Sequence, residues 1–145
     1  MVSVASACGV SKALIYHYYD SKEALLFDIL NQHLADLADA VKAVSDRVAE
    51  PQTRLGEMLR TILAQYENAD AEHKLQLDAL DRLPEAQKAP LIALQRDITR
   101  HLRAAVTQLA PGTPHAMPAT MTIFGILNWF YMWHRPTGEM SRADY

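Results

Sequence analysis

A short stretch near the start of the sequence, SKALIYHYY beginning at Ser11, concentrates side chains that donate hydrogen bonds. Ser11 would place its hydroxyl and free backbone N–H groups at a helix N-terminus, where a phosphate binds well. Lys12 and His17 can reach phosphates or base edges, and the phenol of Tyr16 can donate to a backbone phosphate. Lys22 follows at the start of the next helix and suits a flanking phosphate. These residue types at this spacing predict contacts with duplex DNA.

The surrounding residues predict a helix-turn-helix. Small apolar residues at one-turn spacing precede Gly9, which suits the left-handed backbone of a tight turn. In the second short helix we expect Leu14 to face inward, with Val10 and Tyr18 nearby. The alternative is a helical hairpin with half-buried tyrosines that does not bind DNA. Residues 1–30 carry two lysines against three acidic residues, so the basic patch typical of DNA-binding proteins is missing there.

Helical periodicity dominates the rest of the sequence, and β-strand patterns are nearly absent. Asp20 followed by Glu23 is an aspartate version of the capping box, so a long helix should begin at Ser21 and end before Pro51. We predict further helices over residues 52–67, 71–83, 84–109 and 120–134. The fold class is therefore all-α, a helical bundle with short or proline-marked connections.

Composition narrows the class of protein. The 145 residues are half hydrophobic and carry a net charge of -3, so bulk charge favours neither nucleic acid nor membrane as a partner. The most apolar window, MTIFGILNWFYMW, has 13 residues, too few to span a bilayer. A single cysteine and the lack of a signal-peptide pattern predict a cytoplasmic protein. Since no metal-ligand spacing, phosphate loop or nucleophile motif occurs, we expect no metal, no cofactor and no enzymatic activity.

Residues 7–26, ACGVSKALIYHYYDSKEALL, resemble the signature of the TetR family of bacterial transcriptional repressors. That signature reads A-x-G-V-S-x-x-x-[LI]-Y-x-[HY]-[FY]-x-S-K-E-x-L, and the match contains no gap. The resemblance implies that Gly9 is the turn glycine and that Cys8 fills a small core position. The DNA-facing positions of the family match Ser11, Lys12, Ala13, Tyr16, His17 and Lys22.

The same resemblance divides the chain into three parts. Residues 1–20 match a partial helix-turn-helix, residues 21–48 a connecting helix, and residues 49–145 a ligand-binding and dimerisation domain. Family members carry a further helix before the motif and a dimerisation helix after the last matched one. We therefore expect the first helix of the DNA-binding head to be missing here and the C-terminal domain to be truncated.

Aromatic residues concentrate between residues 124 and 133, which hold five of the eleven in the chain. One inward helix face cannot absorb so many, so part of the cluster should be buried against a second subunit. The alternative is a helix that is fully buried in the core of one subunit. The predicted interface residues of a homodimer are Phe124, Trp129, Phe130 and Trp133.

The stretch GILNWFYMWHRPTGEMS, residues 125–141, resembles a C-terminal motif of a TetR subgroup, G-x-x-N-W-x-x-x-W-[YH]-R-P-x-G. That subgroup regulates the breakdown of fatty acids, sterol fragments and aromatic acids such as phenylacetate, and it senses acyl-CoA or aryl-CoA thioesters. The resemblance thus implies a small hydrophobic or acyl-CoA effector. Asn128 is the predicted polar contact to it, with a satisfied core amide as the alternative.

An acyl chain or ring requires an apolar tunnel between helices. The remaining candidates for its lining are Met58, Leu59, Ile62, Leu63, Leu77, Leu80 and Met132. A coenzyme A moiety also requires cations near the mouth of the tunnel. Four arginines are candidates, although the sequence favours a solvated surface position for each of them: Arg96, Arg100, Arg103 and Arg135.

The sequence thus predicts a homodimeric repressor that binds operator DNA and is released by an effector. The effector would tilt the connecting helix over residues 21–48 and change the separation of the two heads. The alternative function is a dimeric helical module that binds a ligand or a protein but no DNA.

Overall fold

The computed structural model describes residues 5–6, 8–67, 75, 80–134, 140–141 and 144–145. Within these residues the chain forms no strand, which confirms the all-α prediction. The side chain of Trp133, one of the predicted interface residues, lies outside the described part. Five α-helices have both ends within the described residues: α1 (Lys12–Tyr18), α2 (Lys22–Arg47), α3 (Pro51–Glu67), α4 (Glu85–Leu109) and α5 (Ala116–Trp133).

Helix α2 begins one residue later than the capping pattern predicts, because Ser21 rather than Asp20 is its N-cap. The Ser21 side chain accepts a hydrogen bond from the backbone N–H of Ala24 at 3.0 Å, and Glu23 lies in the first turn. The Ser21 hydroxyl satisfies a backbone N–H that has no acceptor within the helix. The carboxylate of Glu23 interacts favourably with the positive end of the helix dipole. One face of the 26-residue helix is buried through Leu30, His33, Leu34, Leu37, Ala38, Val41 and Val44.

Helix α4 lies at the centre of the bundle, where it contacts α2, α3 and α5. Its inward residues recur every three or four positions, so one face meets all three neighbours. Leu91, Leu102 and Ala105 on that face are fully buried. They join one hydrophobic core with residues of α2, α3 and α5, so the described part of the body has a continuous apolar interior.

Two connections differ from the predicted pattern. Helix α5 begins at Ala116, four residues before the predicted start at Thr120. Pro118 is compatible with this earlier start because the N–H groups of the first turn have no acceptor within the helix. The predicted helix over residues 71–83 lies largely outside the described residues, which show a 3₁₀ turn at Leu80–Arg82.

Candidate DNA-binding head and effector site

Helix α1 presents the predicted DNA-facing residues to solvent. All six are exposed: Ser11, Lys12, Ala13, Tyr16, His17 and Lys22. Gly9 precedes the helix with a φ of 66°, the left-handed conformation expected of the turn glycine. The Ser11 side chain caps α1 by accepting from the backbone N–H of Leu14 at 3.1 Å. Because the hydroxyl oxygen accepts in this cap, its hydrogen is still available to donate to a phosphate.

Two exposed side chains of α1 lie together on one face. The Lys12 ammonium is 5.5 Å from the centroid of the Tyr16 ring, within the range of a cation–π interaction. The residues are four apart, so they stand one above the other on the helix. The Lys12 ammonium is therefore held close to the Tyr16 phenol. A positive charge beside a hydrogen-bond donor suits the phosphate backbone of DNA.

The buried side of α1 differs from the prediction. Ile15 is the residue that faces inward, whereas Leu14 is 43% exposed. Val10 and Tyr18 are exposed as well, because α1 makes no extensive contact with the other described helices. Cys8 was expected in a core position and is instead exposed. The prediction of an inward Leu14 was wrong by one position, since two adjacent apolar residues compete for the same face.

A side-chain hydrogen bond links the end of α1 to α2. Tyr19 caps the C-terminus of α1, and its phenol donates to Oδ2 of Asp28 at 2.6 Å. This bond raises the pKa of the Tyr19 phenol, so the donor remains protonated at neutral pH. In the described part of the chain, no other side-chain hydrogen bond joins residues before Ser21 to the body.

If the head binds operator DNA as a dimer, as the sequence predicts, Tyr19→Phe should weaken that binding about 3- to 10-fold, the effect of losing one modest hydrogen bond in each of two heads. The unfolding midpoint of the body should not change, because the pair is at the surface. Fluorescence anisotropy with labelled operator measures the effect. Asp28→Ala should give the same loss, and the double variant should be no weaker than either single one. Additive losses would show that the two residues act separately.

A cavity of about 220 Å³ lies between four helices of the body. Leu34 and Leu37 of α2 form one wall, so a molecule in this cavity touches the helix that carries the head. Tyr66 and Asn128 face each other across it, with the Tyr66 phenol 3.4 Å from Oδ1 of Asn128. The rest of the lining is Gln95, Ile98, Thr99, Met121 and Phe124.

The polar groups of this cavity, which we call the α2 cavity, are all uncharged. Burial raises the pKa of Tyr66, so its phenol stays protonated and can donate. The amides of Gln95 and Asn128 can donate or accept. The cavity therefore suits an apolar molecule with a neutral hydrogen-bonding group such as a carbonyl.

A second cavity, of about 600 Å³, lies between α3 and α5. Most of its lining is apolar, with Leu59 and Leu63 on α3 and Ile123 and Leu127 on α5. No lining residue is shared with the α2 cavity, and none belongs to α2. We call it the outer cavity.

The predicted effector residues are thus divided between different environments. Leu59 and Leu63 line the outer cavity, and Asn128 lines the α2 cavity. Met58 and Ile62 are fully buried in the core and line neither cavity. Leu80 packs partly buried against the core, Met132 is exposed, and Leu77 lies outside the described residues.

Tyr66, Gln95 and Arg60 line cavities and were not predicted from the sequence. Tyr66 follows Ile62 by four residues on the inward stripe of α3, so its burial near the core could have been predicted from the spacing. Its hydrogen bond with Asn128 could not, because Asn128 lies 62 positions away in sequence.

Helix α5 has two chemically similar but differently buried sides. Phe130 and Leu127 face inward, and Phe130 is 1% exposed. Trp129 is 62% exposed and Ile126 is 53% exposed. Phe124 is partly buried against the core. Phe130, predicted at the dimer interface, is therefore a core residue of one subunit, while Trp129 remains available to a partner.

The arginines of α4 differ in their pairing. Arg100 forms an ion pair with Asp97, three residues before it. Arg96 and Arg103 are exposed and form no ion pair with the described residues. Arg135 lies outside the described residues.

The described residues contain no group of three or more His, Cys, Asp or Glu side chains that could hold a metal ion. Among the helices in the same part of the chain, none is both long and apolar enough to cross a membrane.

Two family models match the chain. Residues 1–29 match bacterial regulatory proteins of the tetR family, and residues 48–145 match the tetracyclin repressor-like C-terminal domain. HTH-type transcriptional regulator BetI from Rhizobium meliloti (strain 1021) is 37% identical over 60 residues, which cover 41% of this chain. The matched segment spans 30% of the length of BetI.

Solved structures share the fold over nearly the whole chain. A TetR-family transcriptional regulator from Bordetella parapertussis 12822 has 37% identity and a TM-score of 0.92, covering 99% of this chain and 77% of that one. PfmR from Thermus thermophilus has 27% identity and a TM-score of 0.87, with coverages of 99% and 80%. AibR in complex with isovaleryl coenzyme A and operator DNA has 24% identity and a TM-score of 0.84, with coverages of 98% and 81%.

Proposed function

Because this chain belongs to the TetR family, we propose that it is a ligand-responsive transcriptional repressor rather than an enzyme, acting in the cytoplasm as a homodimer on operator DNA. The observation that carries the proposal is the exposed set of donors on α1, attached to a helix that borders a cavity. We further propose the division into a head at residues 1–20, a connecting helix at 21–48 and a ligand-binding and dimerisation domain at 49–145.

In this proposal α1 enters the major groove of the operator. Lys12 and His17 reach base edges or phosphates, while Tyr16 and the capped N-terminus at Ser11 contact the backbone. Lys22, exposed in the first turn of α2, binds a flanking phosphate. Two heads of a dimer then read half-sites about one helical turn apart or slightly more.

The outward side of α5 supports the proposed dimer. Trp129, Met121 and Met132 are each at least half exposed, so a single subunit leaves large apolar side chains in water. Aromatic and methionine side chains are enriched at the centres of protein interfaces. Burial of this side against a second copy removes the exposed apolar surface and sets the spacing of the two heads.

The α2 cavity supports the proposed effector response. Since Leu34 and Leu37 form its wall, a bound molecule larger than the cavity must displace α2 relative to α4. The link through Tyr19 and Asp28 passes that displacement to α1. A coupling free energy of about 1–3 kcal/mol, typical of such switches, lowers operator affinity roughly 5- to 150-fold.

We propose that the effector is a small hydrophobic molecule or an acyl-CoA. Its carbonyl would accept from the Nδ2 amide of Asn128, whose orientation is held by the hydrogen bond that Oδ1 accepts from the Tyr66 phenol. Arg96 and Arg103 would meet coenzyme A phosphates at the surface. AibR provides a precedent on the same fold, since its structure contains isovaleryl coenzyme A together with operator DNA.

A gel-shift titration tests the proposal. The chain should shift its operator, and isovaleryl-, octanoyl- or phenylacetyl-CoA should remove the shifted band. If DNA is bound and none of these thioesters acts, the proposed effector class is wrong.

Asn128→Leu should separate effector response from DNA binding. Leucine has the same branching and number of heavy atoms as asparagine but no polar atoms, and residue 128 lies on α5 and not in the head, so operator affinity should not change. The thioester concentration that releases half of the DNA should rise about tenfold, the effect of one lost hydrogen bond in a buried site. Gln52→Leu, at the exposed start of α3 outside both cavities, is the matched control. An unchanged release curve for Asn128→Leu would place the effector elsewhere.

The alternative function, a dimeric module that binds a ligand or a protein but no DNA, is favoured by one observation. Residues 1–30 have more acidic than basic side chains. A salt titration distinguishes the two functions, because operator binding must weaken steeply with salt as counterions are released. Binding that is absent at low salt would favour the alternative.

A further inference from the structure

The outer cavity contains a cation that the proposed function does not use. Arg60 lies in its lining among leucines and isoleucines of α3 and α5. Within the described part of the chain, Arg60 forms no ion pair and no side-chain hydrogen bond. Its acidic neighbour Glu57 is already paired with Arg47 at 2.8 Å. The guanidinium is therefore available to an anion from solution.

The guanidinium lies close to the backbone one turn earlier in α3. A Cβ at Gly56 would lie 3.4 Å from Nη1 of Arg60, an ordinary contact distance, so the Arg60 side chain folds back toward Gly56 at the cavity wall. Gly56 lines the same cavity. The planar, permanently charged group thus stands where an apolar wall meets solvent.

The opposite side of the outer cavity is closed by C-terminal residues. The Tyr145 phenol donates to the backbone carbonyl of Ile126 at 2.9 Å, and its ring is 4.8 Å from that of Phe130. Asp144 also lines the cavity, and its carboxylate accepts hydrogen bonds from Ser141. These bonds lower the pKa of Asp144, so it is ionised at neutral pH.

We propose that the outer cavity is a second ligand site, which binds an apolar monocarboxylate with its carboxylate on Arg60. The volume of about 600 Å³ lies in the range of small-molecule sites, and the walls are apolar. One guanidinium matches one carboxylate in a bidentate pair. A dianion such as a phosphate ester is disfavoured, because the second charge meets Asp144 and no second cation among the described lining residues.

This site goes beyond the proposed function and does not depend on it. Because none of its lining residues belongs to α2, a ligand there does not have to displace the connecting helix. Binding can therefore be measured on the free protein, without DNA.

Calorimetric titration with decanoate and with 1-decanol, its uncharged counterpart, tests the proposal. Wild-type protein should bind one decanoate per chain more tightly than it binds decanol. Arg60→Gln should weaken decanoate binding roughly tenfold through the loss of a charge-assisted pair, and leave decanol binding unchanged. Arg82→Gln, an exposed arginine of the 3₁₀ turn outside both cavities, is the matched control and should bind as wild type does.

Cavity identity is tested by Asn128→Leu. This variant should bind decanoate as wild type does, because Asn128 lines the other cavity. Loss of decanoate binding in Asn128→Leu, with normal binding in Arg60→Gln, would place the ligand in the α2 cavity and overturn the inference. Equal affinity of wild-type protein for decanol and decanoate, or no binding of either, also overturns it. None of these outcomes bears on operator binding, so the two proposals fail separately.

Discussion

Phe130→Ala should lower the free energy of unfolding by about 3–5 kcal/mol, the range for removing a fully buried aromatic ring. Phe130 is 1% exposed and stacks on His134 with ring centroids 4.2 Å apart. Removal of the ring leaves a void at the junction of α5 with the core. Urea unfolding followed by circular dichroism, at concentrations where sedimentation shows monomers, measures this loss.

Trp129→Ala is the matched control for that measurement. Trp129 neighbours Phe130 in sequence and is 62% exposed. Its loss should change the unfolding free energy of the monomer by less than about 1 kcal/mol, as for most surface positions. Sedimentation at higher protein concentration measures the proposed dimer. Trp129→Ala should weaken this dimer. Phe130→Ala, measured at a temperature where the variant is folded, should weaken it less. Equal losses of monomer stability would contradict the assignment of the two sides of α5.

Removal of the two lysines proposed to contact DNA, Lys12 on α1 and Lys22 on α2, should cause the largest loss of operator affinity. Lys12→Ala with Lys22→Ala takes four phosphate contacts from a dimer, so the slope of log affinity against log salt should become shallower by about 3–4. At low salt we expect affinity for the operator to fall roughly 100-fold, since four charge-assisted contacts are lost. Anisotropy titrations at several salt concentrations give both quantities.

The control for the lysine variant removes the same charge elsewhere. Lys42→Ala with Arg103→Ala alters two exposed cations that lie on the body, one on α2 and one on α4. The affinity for operator DNA should change only slightly, through the electrostatic field of the whole protein. The slope of log affinity against log salt should not change. A slope that falls equally in both variants would mean that bulk charge, and not α1, governs binding.

Some elements of this fold could be predicted from sequence because their causes are local. The start of α2 depends on Ser21 and Glu23, both within one turn of the boundary. The buried stripe of α2 repeats at helical spacing from Leu30 to Val44, long enough for its period to be recognised. Helix α1 has seven residues, too few for periodicity to decide between Leu14 and Ile15.

The orientation of α5 could not be predicted for a different reason. Between Ile123 and Trp133 nearly every residue is apolar, so the sequence contains no contrast between an inward and an outward side. Tertiary contacts with α4 determine that Phe130 is buried and Trp129 is not. The sequence could therefore indicate that α5 has more aromatic surface than one helix face can bury, but not which of its aromatic side chains lie in the core.

The residues that line the two cavities were also hard to predict from the sequence, because they come together only in the folded bundle. Exposed donors on α1 could be predicted because each residue type suits DNA on its own. The α2 cavity instead combines side chains of four helices, and Tyr66 meets Asn128 only after the bundle has packed. Arg60 lies four residues after Gly56, a spacing that is visible in the sequence. Its place in a cavity wall depends on α5 packing beside α3, which the sequence does not show.

The loose attachment of α1 has a consequence for engineering. Since α1 makes no extensive contact with the other described helices and is joined to α2 through Tyr19 and Asp28, its outer residues contribute little to the stability of the body. Under the proposed function, exchange of the exposed residues between 11 and 17 for those of another family member should change which operator is bound. A set of such chimeras would combine the same proposed effector response with different operators.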